Sequence, residues 1–189
     1  MKDPRMELKV AGVEKNSPKQ GGGTLVKLEQ FYKGVKVSRG HYKVVFTSEG
    51  KLSGITGVFS PNIDISPVPA IDSLSAIGIA TRDLNYTNED EKSAQEFLAR
   101  FPKKRKPINA SLFVVSYENQ YRLVWIIGLY RERPESPQNW EYWVDAQTGT
   151  ILQKKDVMIR GGHKIQVPNT PPSDSVPETV VLHLESAQV

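Results

Sequence analysis

Residues 143–152 read Trp-Val-Asp-Ala-Gln-Thr-Gly-Thr-Ile-Leu, a pattern that predicts a strand, a tight turn and a second strand. The short carboxylate of Asp145 can accept the backbone N–H groups two or three residues further along the chain. Gly149 stands where a bulged hairpin requires a positive φ, which glycine adopts without strain. The stretch therefore predicts an antiparallel hairpin closed by Asp145 and Gly149.

A second motif lies well upstream and reads Gln-Phe-Tyr-Lys-Gly-Val-Lys-Val from Gln30 to Val37. Its Lys33-Gly34 pair is a turn signal between two alternating segments. Alternation of apolar and polar residues predicts strands at 7–13, 24–31, 35–37, 41–46 and 52–59. Prolines then break the pattern between residues 60 and 69. The first third of the chain is therefore predicted to be an antiparallel meander followed by a linker.

The period changes to that of a helix between residues 71 and 84. Asp72 or Ser73 can cap its N-terminus, and its apolar face carries Ala76, Ile77, Ala80 and Leu84. Gly78 weakens a helix by about 1 kcal/mol relative to alanine, so we expect the sheet or the backbone of a partner to approach it closely. A second helix, over 87–101, begins with the capping-box pair Thr87 and Asp90 and repeats apolar residues at Ala94, Phe97, Leu98 and Phe101.

Alternation returns from residue 111 and predicts strands at 111–116, 121–130, 140–144 and 150–154. Helices packed on one face of such an antiparallel sheet make an α+β fold. Trp140 and Tyr142 share one face of their strand and Trp143 lies on the other, so an aromatic residue on the face away from the helices is a candidate partner contact. From residue 161 onward, prolines and polar residues predict an extended tail, with one further candidate strand at 180–184.

The two motifs, in this order and at this distance, resemble the propeptides of thermolysin-like and fungalysin-like secreted zinc metalloproteases. In that family a short FTP segment precedes a PepSY domain. Lys36 departs from the FTP pattern, which usually has proline at that point. The resemblance covers residues 6–156 and implies structural or docking roles for the family-motif positions, which are Gln30, Tyr32, Gly34, Val37, Trp125, Tyr142, Asp145, Thr148 and Gly149.

The resemblance implies an FTP-like β meander at 6–60, a PepSY-like α+β domain of cystatin-like type at 70–156, and an extended linker or tail at 157–189. It implies a non-catalytic propeptide region that acts as an intramolecular chaperone and inhibitor of a thermolysin-like zinc metalloprotease. The partner is then the catalytic domain of the cognate metalloprotease, in cis or in trans. The alternative is a free-standing PepSY-like module that binds proteins or inhibits proteases.

Composition excludes several classes of function. The chain has 189 residues and no cysteine, so disulfides, thiolate metal sites and thiol nucleophiles are excluded. No apolar run is long enough to span a bilayer, and no apolar segment of a signal peptide follows the polar N-terminus. The resemblance implies export with the signal peptide trimmed, and hence a secreted or periplasmic protein without a membrane partner.

The net charge of +4 is mildly basic, and residues 103–106 read Lys-Lys-Arg-Lys. Such a run can contact nucleic acid or an acidic surface, but it also suits a solvated loop after a helix C-terminus. No pattern of stacking aromatic residues accompanies it. We therefore favour the solvated loop and expect no nucleic-acid partner.

The titratable residues form no recognisable catalytic motif. The three histidines, His41, His163 and His183, lack the i, i+4 spacing of a zinc-binding helix. There is no Gly-x-Ser-x-Gly elbow and no phosphate-binding loop before a helix. Four carboxylates that could meet in space are more simply surface charges or, in one case, a turn cap: Glu29, Asp64, Glu132 and Asp145. We therefore expect no catalytic residues, no metal site and no cofactor, and the oligomeric state stays open.

Overall fold

The structure is a computed structural model that describes residues 6–16, 22–100, 106–132 and 137–158. These ranges all lie in one compact unit, which ends at Met158. They contain β1 (Met6–Lys15), β2 (Thr24–Tyr32), β3 (Val35–Phe46), β4 (Leu52–Val58), α1 (Ser73–Leu84), α2 (Asn88–Leu98), β5 (Ile108–Tyr117), β6 (Gln120–Arg131), β7 (Gln138–Asp145) and β8 (Ile151–Asp156). The candidate strand at 180–184, the extended tail and most of the basic run at 103–106 lie outside the described residues.

All eight strands belong to one sheet, in the order β1-β2-β3-β5-β6-β7-β8, with β4 paired to β3. The described pairs are antiparallel except β3 and β5, which run parallel through Lys36 opposite Phe113 and Val37 opposite Val114. This short parallel pair joins the N-terminal meander to the strands that follow the helices. The fold is mixed, mostly sheet, with an N-terminal meander as the sequence predicts.

Strand β3 is longer than predicted and serves both halves of the sheet. The sequence predicted two strands at 35–37 and 41–46, whereas one strand spans both and its pairing with β2 shifts register between them. Arg39 has a φ of 64° at this irregularity. The segment before it pairs with β5 and the segment after it pairs with β4.

Helix α1 has a capping residue at each end. The Asp72 carboxylate accepts the Ser75 amide at 2.7 Å, and Asn85 ends the helix with a left-handed φ of 51°. Its buried face packs on β6 and β7 through Ala76, Ala80, Leu84, Ile127, Leu129, Tyr142 and Val144. The close approach of the sheet expected at Gly78 is wrong, because a Cβ there meets no atom within 4 Å outside its own helix; the approach of a partner backbone stays a prediction.

Helix α2 begins with the predicted capping box between Thr87 and Asp90. It packs at the end of β6, where the Phe97 ring stacks on Tyr130 with centroids 5.7 Å apart. Asp90 also pairs with Arg131 at 3.2 Å, and both side chains are buried. Whereas α1 covers a face of the sheet, α2 therefore covers the end of one strand.

Candidate functional site

The side chain of Gln30 is fully buried and binds the start of the linker. Its Nε2 donates to the Ser60 carbonyl at 2.8 Å, and its Oε1 accepts the Ser60 amide at 2.9 Å. A Cβ on Gly40 would lie 2.6 Å from this Oε1 and 2.7 Å from the Gln30 Cβ, so only glycine leaves room for the side chain. The side-chain amide of Gln30 therefore bonds both backbone groups of Ser60, as the backbone of a neighbouring strand would.

Tyr32 makes a second attachment to the linker. Its hydroxyl donates to the Ile65 carbonyl at 3.1 Å and receives a longer contact from the Ile65 amide at 3.4 Å. The ring is fully buried in a cluster that also holds Ile63 of the linker and Val37 of β3. The next residues, Lys33 and Gly34, have φ values of 45° and 85°, which form the tight turn into β3. The upstream motif thus holds residues 60–65 against the sheet.

The downstream motif is a turn organised by Asp145. Its Oδ1 accepts the amides of Gln147 at 2.8 Å and Thr148 at 3.0 Å, and its Oδ2 accepts Arg122 at 3.1 Å. Burial acts to raise the pKa of the Asp145 carboxyl, but these donors outweigh it and hold the pKa below its ordinary value. The carboxylate therefore stays charged while it closes the hairpin.

This turn also holds the far end of the linker. The Ala146 carbonyl accepts the amides of Ala70 at 2.9 Å and Ile71 at 3.1 Å. The Gln147 side chain donates to the Val68 carbonyl at 2.8 Å, and the Trp125 indole donates to the Ile71 carbonyl at 3.0 Å. Residues of both motifs therefore converge on the segment 60–71, which they fasten at its start, middle and end.

Thr148 and Gly149 complete the turn. The Thr148 hydroxyl donates to the Thr150 hydroxyl at 2.9 Å and accepts the Thr150 amide at 3.2 Å. The Gly149 amide donates to the Asp145 carbonyl at 2.8 Å. Gly149 has a φ of 76°, in the left-handed region that the sequence predicted for it.

Replacing Gly149 with alanine is expected to lower the free energy of unfolding by about 1–2 kcal/mol. The left-handed backbone strains any side chain, and the new Cβ would lie 3.1 Å from Ile79 Cδ1 of α1. Urea unfolding followed by tryptophan fluorescence measures the loss. Gly34→Ala is the matched control, since it has a similar φ but open space around its Cβ. If Gly149→Ala lowers the free energy of unfolding no more than Gly34→Ala does, the contact between residue 149 and Ile79 of α1 is unimportant for stability.

Tyr142 joins α1 to β7 and β8. Its hydroxyl donates to Asp83 Oδ2 at 2.8 Å, and Lys154 Nζ donates to the same oxygen at 2.7 Å. The hydrogen bond from Lys154 is the main cause that lowers the pKa of Asp83, and the same bond raises the pKa of Lys154. Tyr142 thus faces the helix, and its contacts are internal to the fold.

Trp143 lies on the opposite side of the sheet from Tyr142. The register places Trp143 between Ile126 and Gln153, and Ile126 is in turn opposite Ser111. The indole is half-buried, and its Nε1 donates to Glu141 at 2.9 Å. We call this row the Trp143 face: Ser111, Ile126, Trp143 and Gln153. Helix α1 lies on the other side of the sheet, so this row retains exposed apolar surface.

The candidate carboxylates bind separate partners. Glu29 pairs with Lys36 at 2.6 Å, and Glu132 accepts the Tyr130 hydroxyl at 2.6 Å. Within the described ranges, no group of three His, Cys, Asp or Glu side chains is arranged to hold a metal ion. The helices of those ranges also include none long and apolar enough to cross a membrane.

The family model for the Fungalysin/Thermolysin Propeptide Motif (FTP) matches residues 9–59. The model for the Peptidase propeptide and YPEB domain (PepSY) matches residues 95–155. The chain carries an FTP–PepSY propeptide region. The first match covers the N-terminal meander, and the second covers the end of α2 and strands β5 to β8.

Known proteases are similar to about seven tenths of this chain. Bacillolysin from Bacillus cereus is 26% identical over 135 residues, which are 69% of this chain and 21% of that protein. Thermolysins from Alicyclobacillus acidocaldarius subsp. acidocaldarius and Bacillus caldolyticus are each 29% identical over 140 residues, 72% of this chain and 24% of theirs. The chain thus spans about a quarter or less of the relatives' length.

Several residues that support the site carry no signal in the sequence. Ser60 and Gly40 matter because they meet Gln30, and Arg122 matters because it meets Asp145. Each of these partners is ten or more positions away from the residue it contacts, and no motif spacing links the two. Only the tertiary fold, which the structure supplies, brings them together.

Proposed function

We propose that this propeptide region binds the catalytic domain of a thermolysin-like zinc metalloprotease, assists its folding and inhibits it. The observation that carries the proposal is the match of two protease-propeptide families, in order, to the two halves of one sheet. The partner is the catalytic domain of the cognate protease, in cis or in trans. Export to the periplasm or the cell exterior is part of the same proposal.

A folding aid acts by binding the folded form of its partner better than the unfolded form. Binding of this kind shifts the folding equilibrium toward the native protease, and contacts that cover the cleft inhibit it at the same time. Such a scaffold gains affinity when it is rigid before binding. The linker attachments at Ser60, Ile65 and Ile71 support the proposal because they fix the FTP strands to the PepSY strands.

We further propose that the Trp143 face contacts the protease. A partly exposed tryptophan beside an apolar residue such as Ile126 is the kind of residue that anchors protein interfaces. The family-motif residues Tyr142 and Asp145 support this face from within the fold. In this proposal the chain divides into an FTP meander at 6–60, a PepSY/cystatin-like domain at 70–156 and a segment at 157–189. Helix α1 covers one side of the sheet of the second part, and the third leads from Asp156 toward the active site.

Replacing Trp143 with alanine is expected to raise the inhibition constant against thermolysin-like proteases at least about tenfold, because an interface anchor is lost. The measurement is a titration of the full chain into each protease, including any encoded beside it, with hydrolysis of a peptide substrate as the signal. Trp140→Ala is the matched control, since Trp140 lies on the same strand but faces α1.

If Trp143→Ala and Trp140→Ala weaken inhibition equally, the protease contacts a surface other than the Trp143 face. If the folded wild-type chain inhibits none of the proteases, the propeptide proposal fails and a free-standing binding module takes its place. Circular dichroism and thermal unfolding confirm that each variant is folded before inhibition is compared.

A further inference from the structure

Strand β4 leaves one of its two edges unpaired. Three strands of the described sheet, β1, β4 and β8, pair with a neighbour on one side only. Within the described ranges, the N–H and C=O groups on the outer edge of β4 bond to no other element. All seven residues of the strand are exposed, with Ile55 at 58% and Val58 at 53%. An edge of this kind is open to hydrogen bonding with an added strand.

The edges of β1 and β8 carry features that hinder strand addition. Four of the ten residues of β1 are charged: Glu7, Lys9, Glu14 and Lys15. The pairing of β1 with β2 also shifts register between Val10 and Gly12. Three of the six residues of β8 are charged: Lys154, Lys155 and Asp156. Charged side chains and bulges make an edge a poor template for another strand.

Strand β4 lacks these features along most of its length. It reads Leu-Ser-Gly-Ile-Thr-Gly-Val and contains no charged residue and no proline. Its residues from Gly54 to Val58 pair one by one with β3, and the register shifts only beside the turn that precedes them. An added strand therefore meets neither a charge nor a bulge from Gly54 to Val58.

The chemistry of this edge defines its ligand as an extended, uncharged polypeptide strand. In strand addition, backbone hydrogen bonds give affinity and the neighbouring side chains give specificity. Serine, threonine or glycine stands at four of the seven positions of β4, so the edge selects little by shape. Ile55 and Val58 offer apolar contacts, and β4 has no charged group to pair with a charge on the added strand.

We infer that β4 accepts an extended, uncharged segment of the protease catalytic domain as an additional strand. The inference rests on the proposed function, which brings that domain to the sheet. A pair of short strands is only marginally stable on its own in water. A partner that is also held at the Trp143 face, or is part of the same chain, gains the missing affinity as effective concentration. A second copy of this chain has no such second contact, so the short edge holds it only weakly.

Hydrogen exchange resolved to single amides tests the inference. Successive N–H groups along a strand point to opposite edges, so alternate amides of β4 bond to β3 and the others face solvent. The probe is the catalytic domain of a thermolysin-like protease that the full chain inhibits. Saturation with this domain is expected to slow the exchange of the outer β4 amides at least about tenfold. The outer amides of β1 and β8 are the internal control and should exchange as in the free chain.

Two proline variants, Ile55→Pro and Thr56→Pro, test the same edge by mutation. Because neighbouring N–H groups point to opposite edges, one variant removes a bond to β3 and the other removes only an outer donor. The outer one is recognised by a urea midpoint close to that of the wild type. It is expected to raise the inhibition constant at least about fivefold. Val13→Pro and Glu14→Pro are the matched pair on β1, and their more stable member should inhibit like the wild type.

Three results would overturn the inference. If the wild type inhibits a protease but the outer β4 amides still exchange rapidly and the outer proline variant inhibits equally well, β4 takes no strand and the proposed function stands. If the wild type inhibits none of the proteases, the proposed function fails and the inference fails with it. If the outer β4 amides are already slow in the concentrated chain alone, the strand comes from a second copy.

Discussion

Replacing Asp145 with alanine is expected to lower the free energy of unfolding by about 2–4 kcal/mol. The carboxylate is buried, and its removal leaves the amides of Gln147 and Thr148 and the guanidinium of Arg122 without their acceptor. The loss stays below that of a fully buried ion pair because Arg122 is 33% exposed and can be partly solvated. Urea unfolding with fluorescence detection measures the change.

Asp145→Asn is the control that separates charge from shape. Asparagine keeps one acceptor oxygen for the two turn amides but loses the charge that Arg122 requires, so an intermediate loss is expected. The pair of variants thus divides the effect between the turn and the ion pair. A loss below about 1 kcal/mol for Asp145→Ala would contradict the role assigned to the carboxylate.

The stability of the wild type and of Asp145→Asn is expected to depend differently on pH. Because the folded-state pKa of Asp145 is lowered, its contribution to stability is present above the unfolded-state pKa of about 3.9 and is lost as the pH falls through the folded-state value. The wild-type chain should therefore lose stability on acidification below about pH 4 more steeply than Asp145→Asn. Parallel pH profiles for the two proteins would show that the carboxylate is not the group responsible.

Local chemistry made part of this architecture predictable from the sequence. The Asp145 turn, the Asp72 cap and the Thr87–Asp90 capping box all depend on contacts within three residues, and each appears where the residue pattern placed it. Gly78 shows the limit of the same reasoning. A helical glycine indicates that a close approach is allowed, but whether another element comes near it depends on tertiary packing.

Long-range pairing could not be predicted in the same way. Nothing in residues 36–37 or 113–114 indicates that β3 and β5 run side by side, since a parallel contact across the helices leaves no turn signal. The period of two separated Tyr142 from Trp143 but did not show which one faces α1. The sequence therefore named both aromatic residues as candidates, and only the packing in the structure showed that Tyr142 is the one that faces α1.

Gln30→Ala is expected to lower the free energy of unfolding by about 2–4 kcal/mol, because it combines a cavity with two unpaired backbone groups. Ser60 is 30 positions away and has its amide and carbonyl bound by this one side chain. The consequence should be concentrated in the linker. Hydrogen exchange of the Ser60 amide is expected to accelerate more than that of amides in the β6–β7 ladder.

Gln30→Met separates the two causes of this loss. Methionine restores most of the volume beside Gly40 but cannot pair with the Ser60 backbone, so it should recover part of the stability and none of the Ser60 protection. If Ser60 stays protected in both variants, the linker is held without Gln30, and the attachments at Tyr32 and Ala146 are then sufficient. If protection is lost over the whole segment 60–71, the three attachments act as one cooperative unit, and the motif glutamine of the FTP half helps to fix the position of the PepSY half.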